Sequence, residues 1–197
     1  MTARPLVLAS ASPRRRELLA RLVSEFDVVP AGLTEVLPAP VTPAAVADLA
    51  LAKARAVAAR VGRGVVLGAD TEVVVEGEAL GKPADPEEAR AMLRRLRGRT
   101  HEVVTGVAVV DATTGRAAST AVVSRVVMRD YPEAIIEAYV AGGEGLDKAG
   151  AYAIQGQGAE LVAGYVGSYT NIVGLPLAET RRLLADFGIS ASPAAGA

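Results

Sequence analysis

Several charged side chains stand where charge is costly, and they are the natural starting point for chemistry. Ser10-Ala11-Ser12-Pro13-Arg14-Arg15-Arg16 places three arginines in the opening turn of a helix. That end of a helix already carries partial positive charge, so cations there cost stability. A bound polyanion would relieve the conflict, because backbone N–H groups, serine hydroxyls and guanidinium forks converge on it. The alternative is a basic helix end simply solvated by water.

Further positions break the local pattern. Lys53 lies on the apolar stripe of a long helix, in helical register with Val46, Leu49, Ala50 and Val57. There it must either snorkel to water or meet a buried negative partner. Asp70 interrupts the apolar run Val65-Val66-Leu67-Gly68-Ala69, so it needs a partner or a metal, unless a turn or bulge at Gly68 lifts it out. Glu72, two residues on, shares its strand face and is either a second functional carboxylate or an exposed strand residue. Lys82 is held in an extended pose between Gly81 and Pro83.

The composition removes whole classes of chemistry. The 197 residues contain no Cys and one His, which excludes disulfides, thiolate metal sites, a Cys nucleophile and any His-rich metal cluster. A net charge of -1 gives no footprint for nucleic acid or an anionic membrane. No stretch of about 18 apolar residues reads as a membrane span, and the N-terminus has no signal-peptide pattern. The expected address is the cytoplasm. A P-loop and a G-x-G-x-x-G fingerprint are both missing. His101, inside a strand pattern beside Glu102, reads as structural.

Elements must position these residues. Leu6–Ala9 reads as a short buried strand, followed by a helix from Pro13 to about Leu22 with Ser12 as its cap. Phe26–Val29 is a second strand. Thr42-Pro43 opens a helix to Val61, and Gly64–Val75 is a strand closed by a Glu76-Gly77 turn. Asp85 and Glu88 form a capping-box pattern for a helix with Ala89, Met92, Leu93 and Leu96 on its apolar face. Strands follow at Thr100–Val110 and Arg116–Val127. A helix from Pro132 should bury Ile135, Ile136, Tyr139 and Val140. Gly142–Gly174 is glycine-punctuated and weakly periodic, and Pro176 opens a last helix. Helices and strands interleave, which predicts an α/β fold on a mixed sheet. Residues 1–188 read as one domain and 189–197 as a flexible tail.

Taken together, Ser10-Ala11-Ser12-Pro13-Arg14-Arg15, Gly68-Ala69-Asp70-Thr71, Gly81-Lys82-Pro83, the stretch from Asp147-Lys148-Ala149-Gly150 through Ile154-Gln155-Gly156, and Gly174-Leu175-Pro176 resemble the Maf family in order and spacing. The likeness runs from about Leu6 to Phe187. It implies a cytosolic nucleoside triphosphate pyrophosphatase, of a family once described as inhibitors of septum formation. The implied fold is a twisted mixed sheet with flanking helices, two lobes and a central cleft, similar to inosine triphosphatase. It implies that Ser10, Arg14, Arg15, Lys53 and Lys82 hold a triphosphate, that Glu35 and Asp70 serve metal or water, with Asp70 as base, and that Arg14, Thr71 and Gln155 sort substrates. The Asp147–Gly156 stretch resembles the branch acting on dTTP and UTP. Glu72 departs from the pattern, which expects an apolar residue there.

Hydroxide is repelled by a triphosphate, so such a site must neutralise charge and align water. With no Cys and one His, the cation implied is hard, Mg²⁺ or Mn²⁺, held by carboxylates and phosphate oxygens. The expected partner is a nucleoside triphosphate, with neither nucleic acid nor membrane; a homodimer is allowed but not required. A nucleotide-binding regulator of cell division, with catalysis secondary, is the competing expectation.

Overall fold

Helix starts are set by short capping side chains followed at once by proline, and three of them form as the sequence predicts. Ser12 accepts from the Arg15 N–H, Thr42 from Ala45 and Asp85 from Glu88, opening α1 (Pro13–Ala20), α2 (Pro43–Val61) and α3 (Pro86–Leu96). The capping box at α3 is displaced by one residue, because the Glu88 carboxylate takes the Ala84 N–H at 2.6 Å. The computed structural model describes residues 4–33 and 36–190.

The strands are β1 (Leu6–Leu8), β2 (Asp27–Val28), β3 (Val65–Val75), β4 (Glu78–Ala79), β5 (Thr100–Asp111), β6 (Ala117–Met128) and β7 (Val162–Val166). They form one sheet in the order β2-β1-β3-β5-β6-β7, with β4 on the outer side of β3. β1 runs parallel to β2 and β3, whereas β3, β5, β6 and β7 pair antiparallel, so the sheet is mixed.

Period-2 alternation along β3 divides its side chains between two faces. On one face Val66 and Val74 pack under α2 with Val46, Ala50, Ala54 and Val57. Two glycines let the helix lie this close. A Cβ on Gly68 would sit 2.9 Å from the Ala54 nitrogen and closer still to the Ala50 carbonyl, and one on Gly106 would sit 2.8 Å from the Ala47 Cα. Gly68 thus marks a helix contact. The expected alternative of a bulge there is not realised, since β3 pairs with β5 without a register break from Val65 to Val74.

The other face carries two cores. Val65, Leu67 and Ala69 pack with α1 and with α6 (Leu177–Asp186). Val73 and Val75 pack with α3 and with α4 (Glu133–Ala141). Thr71 falls between them. Each fully buried Leu or Ile contributes roughly 1.5–3 kcal/mol, so these cores dominate stability.

Four sequence expectations need correction. α1 stops at Ala20, after which the Leu22 N–H closes a tighter turn on the Leu19 carbonyl, which also accepts from the Val23 N–H. Ile135 is 37% exposed because it lies one position off the buried Ile136, Tyr139 and Val140 stripe. The glycine-rich stretch holds β7 and α5 (Tyr169–Val173), besides 3-10 turns at Ala149–Ala151 and Gly156–Leu161. Ile189, beyond the last helix, packs into the core beside Leu184. No described helix is long and apolar enough to cross a membrane.

Candidate active site

The site lies where β3 loses its outer neighbour. β1 pairs with β3 as far as Leu67, and β4 joins only at Val74. Between those points a cleft of about 300 Å³ opens against the strand edge, near the lower end of small-molecule sites. Its walls bring together Arg14, Arg15, Lys53, Asp70, Thr71, Lys82 and Gln155, all predicted from sequence.

Ser10 is placed otherwise. Buried and set behind the wall, its hydroxyl accepts from the Ser12 N–H and from an Arg15 N–H, both at 3.2 Å. Glu35 lies outside the described residues. Arg16 is exposed and turned from the cleft, so only two of the three helix-start arginines face it.

Arg15 is held by several hydrogen bonds. Its Nε donates to the Gly174 carbonyl at 3.0 Å and a terminal N–H to the Thr71 hydroxyl at 2.9 Å, in addition to the Ser10 bond. A guanidinium anchored in this way presents a preset charge, which lowers the cost of ordering it around an anion.

Lys53 and Asp70 resolve two of the open readings at once. Lys53 does not snorkel; its ammonium donates to Asp70 Oδ1 beneath α2, with both side chains nearly excluded from solvent. Asp70 Oδ2 is buried without a hydrogen-bond partner among the described residues. An unsatisfied buried oxygen costs about 1–3 kcal/mol. Glu72 is also buried, at 7% exposure, which removes the exposed-strand reading.

Two cleft residues were missed as site residues, Asp147 and Lys148. Lys148 donates to the Glu144 carbonyl at 2.6 Å and to Asp147 Oδ1 at 2.5 Å. The Lys148 bond, reinforced by the positive charge of Arg14, holds the Asp147 carboxyl below the usual range. The available signal was an oppositely charged pair in a glycine-rich stretch, where charge patterns carry little information. With Arg14, Arg15, Lys53, Lys82 and Lys148 against Asp70 and Asp147, the lining has five cations and two anions among the described residues.

Gln155 is exposed at the mouth. Its loop is pinned by the Glu144 carboxylate, which accepts from the Gln157 and Gly158 N–H groups at 3.2 and 2.9 Å, and by Tyr139, whose hydroxyl accepts from Ala153 at 3.1 Å. His101 lies behind the cleft and is structural in its setting. Its Nε2 is 2.7 Å from the Tyr152 hydroxyl, the rings meet edge to face, and burial pushes its pKa down to about 4.

The fold and cleft define an α/β protein with a cationic, strand-edge site around one buried carboxylate. The Maf-like protein family model matches residues 5–187, and the chain belongs to that family. It is 58% identical to the dTTP/UTP pyrophosphatase of Moorella thermoacetica over 93% of this chain and 95% of that one. Identity to the dTTP/UTP pyrophosphatase of Myxococcus xanthus is 53%, covering 93% of each chain. A solved nucleoside-triphosphatase (dITP/XTP pyrophosphatase) of Mycobacterium abscessus aligns over 93% of this chain and 98% of its own, with 18% identity and a TM-score of 0.47.

Proposed function

We propose that this protein hydrolyses the bond between the α- and β-phosphates of dTTP and UTP, releasing the monophosphate and pyrophosphate. The observation that carries the reading is the buried Asp70 Oδ2, without a hydrogen-bond partner among the described residues, at a cleft lined by cations, in a chain whose relatives are named for this activity. Arg14, Arg15, Lys82 and the start of α1 neutralise the polyphosphate. Lys53 holds Asp70 Oδ1 and so fixes the carboxylate, leaving Oδ2 to orient a water and take its proton as the water oxygen attacks the α-phosphorus. The α–β P–O bond breaks, and pyrophosphate departs with the electron pair, stabilised by the same cations.

A hard divalent cation, Mg²⁺ or Mn²⁺, suits this donor set. Asp70 would share the cation with phosphate oxygens, a common arrangement for Mg²⁺. Such a cation would supply Lewis-acid charge neutralisation. Gln155 at the mouth offers one amide N–H₂ and one carbonyl; its N–H₂ can donate to O4 of uracil or thymine, which leaves the ring N3–H for a second acceptor.

Hydrolysis of dTTP with Mg²⁺ in ¹⁸O-water tests the reading. Label in the monophosphate and multiple turnovers are expected; label in pyrophosphate alone, or binding without turnover, would overturn it.

A further inference from the structure

A chain of hydrogen bonds runs from the cleft across one face of the sheet, from β3 to β5 and on to α5, and its direction is fixed at both ends. Arg15 donates to Thr71 Oγ1 at 2.9 Å, Thr71 Oγ1 and Thr105 Oγ1 are 3.0 Å apart, and Thr105 donates to the Asn171 carbonyl at 3.0 Å. A guanidinium can only donate and a carbonyl can only accept. Thr105 has one proton, which goes to Asn171, so it receives from Thr71. Thr71 therefore spends its proton inward, on Thr105, and accepts from Arg15 with one of its two lone pairs. The other acceptor of Thr71 for such a proton, the Gly174 carbonyl, is more distant at 3.5 Å.

The far end of the chain is anchored. Thr105 and Asn171 are both fully buried, and the Asn171 amide donates to the Val103 carbonyl at 3.0 Å and to Ser124 Oγ at 2.9 Å. Hydrogen bonds in series polarise one another and resist reversal. Thr71 itself lines the cleft.

We infer that Thr105 is a positioning residue for base selection: it makes Thr71 an acceptor-only group toward the cleft, which favours a ring N–H over a bare ring nitrogen. The inference rests on the pyrimidine reading above. Uracil and thymine carry a proton on N3 and cytosine does not. Gln155 alone cannot make this distinction, because its amide turned through half a turn pairs with cytosine equally well. An oriented Thr71 breaks that tie.

The test compares kcat/KM for UTP and CTP in the parent protein and in Thr105→Val, Thr105→Ala, Thr105→Ser and Thr71→Val, with the melting temperature of each. The parent should prefer UTP. Removing the Thr105 hydroxyl frees the Thr71 proton to meet cytosine N3, so the UTP:CTP ratio should fall about three- to tenfold, chiefly through KM, on the scale of one hydrogen bond. Thr105→Ser should retain the parent ratio, and Thr71→Val should lower it. If Thr105→Val does not fold, Thr105→Ala and Thr71→Val decide. An unchanged ratio in folded variants, equal losses on both nucleotides, or a parent indifferent to UTP and CTP would overturn the inference. A parent hydrolysing no pyrimidine triphosphate would instead overturn the function reading beneath it.

Discussion

Lys53 and Asp70, 17 residues apart in sequence, meet as an ion pair between α2 and β3 with side chains only 8% and 4% exposed. A buried pair of this kind contributes little net stability, since the cost of desolvating both charges rivals their attraction. Removing one partner is different: an uncompensated buried charge costs about 3–5 kcal/mol. The pair is thus poorly explained as a stabilising device and well explained as a way to hold a carboxylate in place at the cleft.

Asp70→Asn should lower the melting temperature, because a buried charge-assisted hydrogen bond is weakened, and should lower turnover of dTTP by roughly 10²–10⁴-fold, the usual worth of a positioned base. Nucleotide binding should persist. The double variant Lys53→Met with Asp70→Asn should not regain activity. Thermal melts, dTTP affinity and kcat on the same preparations separate the two effects. Full turnover in folded Asp70→Asn would remove this residue from the mechanism.

Arg14 and Arg16 begin the same helix turn, yet only Arg14 lines the cleft. Arg14→Ala should weaken dTTP binding by about 1.5–3 kcal/mol, the range for a charge-assisted hydrogen bond, and reduce its salt dependence. Arg16→Ala should change KM little. Equal KM shifts in the two variants would mean that the helix end acts only as a diffuse positive field.

Gly68→Ala tests the seat of α2. The added methyl would meet the Ala54 nitrogen at 2.9 Å and the Ala50 carbonyl closer still, and these backbone atoms can move only by lifting the helix that carries Lys53. Overpacking of this kind typically costs about 1–3 kcal/mol. A lower melting temperature with a further loss of turnover is expected; an unaltered melt would show that α2 is seated more loosely.

These residues also show what sequence reasoning could and could not reach. Lys53 and Asp70 were legible because each violated a simple periodicity, and the caps at Ser12, Thr42 and Asp85 because their chemistry is local. β7 and α5 were not legible, since five-residue elements between glycines carry too few positions for a period to register. Ser10 read as a phosphate contact, but its place behind Arg15 depends on a side-chain rotamer that no spacing reveals. The Thr71–Thr105–Asn171 chain joins three distant segments through hydroxyls that look like ordinary strand and helix residues.

Gln155→Ala should lower kcat/KM for dTTP and UTP more than for other nucleotides, because the lost amide reads the base edge and leaves the phosphate contacts in place. The comparison with GTP is the useful one. A uniform loss across all four bases would assign Gln155 to loop structure, and faster hydrolysis of GTP than of dTTP by the parent would contradict the proposed pyrimidine preference.

The pH dependence of stability should carry the mark of His101. Its pKa in the folded protein is pushed down to about 4 by burial, from an ordinary value of 6.5. The unfolded chain therefore binds the proton more readily throughout the window between those values. Stability contributed by the neutral ring is complete above about pH 6.5 and is lost as pH falls toward 4, with an upper bound of about 3 kcal/mol for a shift of this size. Asp111 adds to acid sensitivity only lower down, since its bond from Arg4 holds its carboxyl near a pKa of about 2. Melting temperatures measured from pH 7 to pH 5 should thus fall in the parent. His101→Gln keeps a side chain able to bond the Tyr152 hydroxyl but cannot titrate, so its melting temperature should start lower at pH 7 and change less across the same window. A slope identical to that of the parent would show that His101 is protonated freely in the folded state, and that the buried ring pair behind the cleft opens to water.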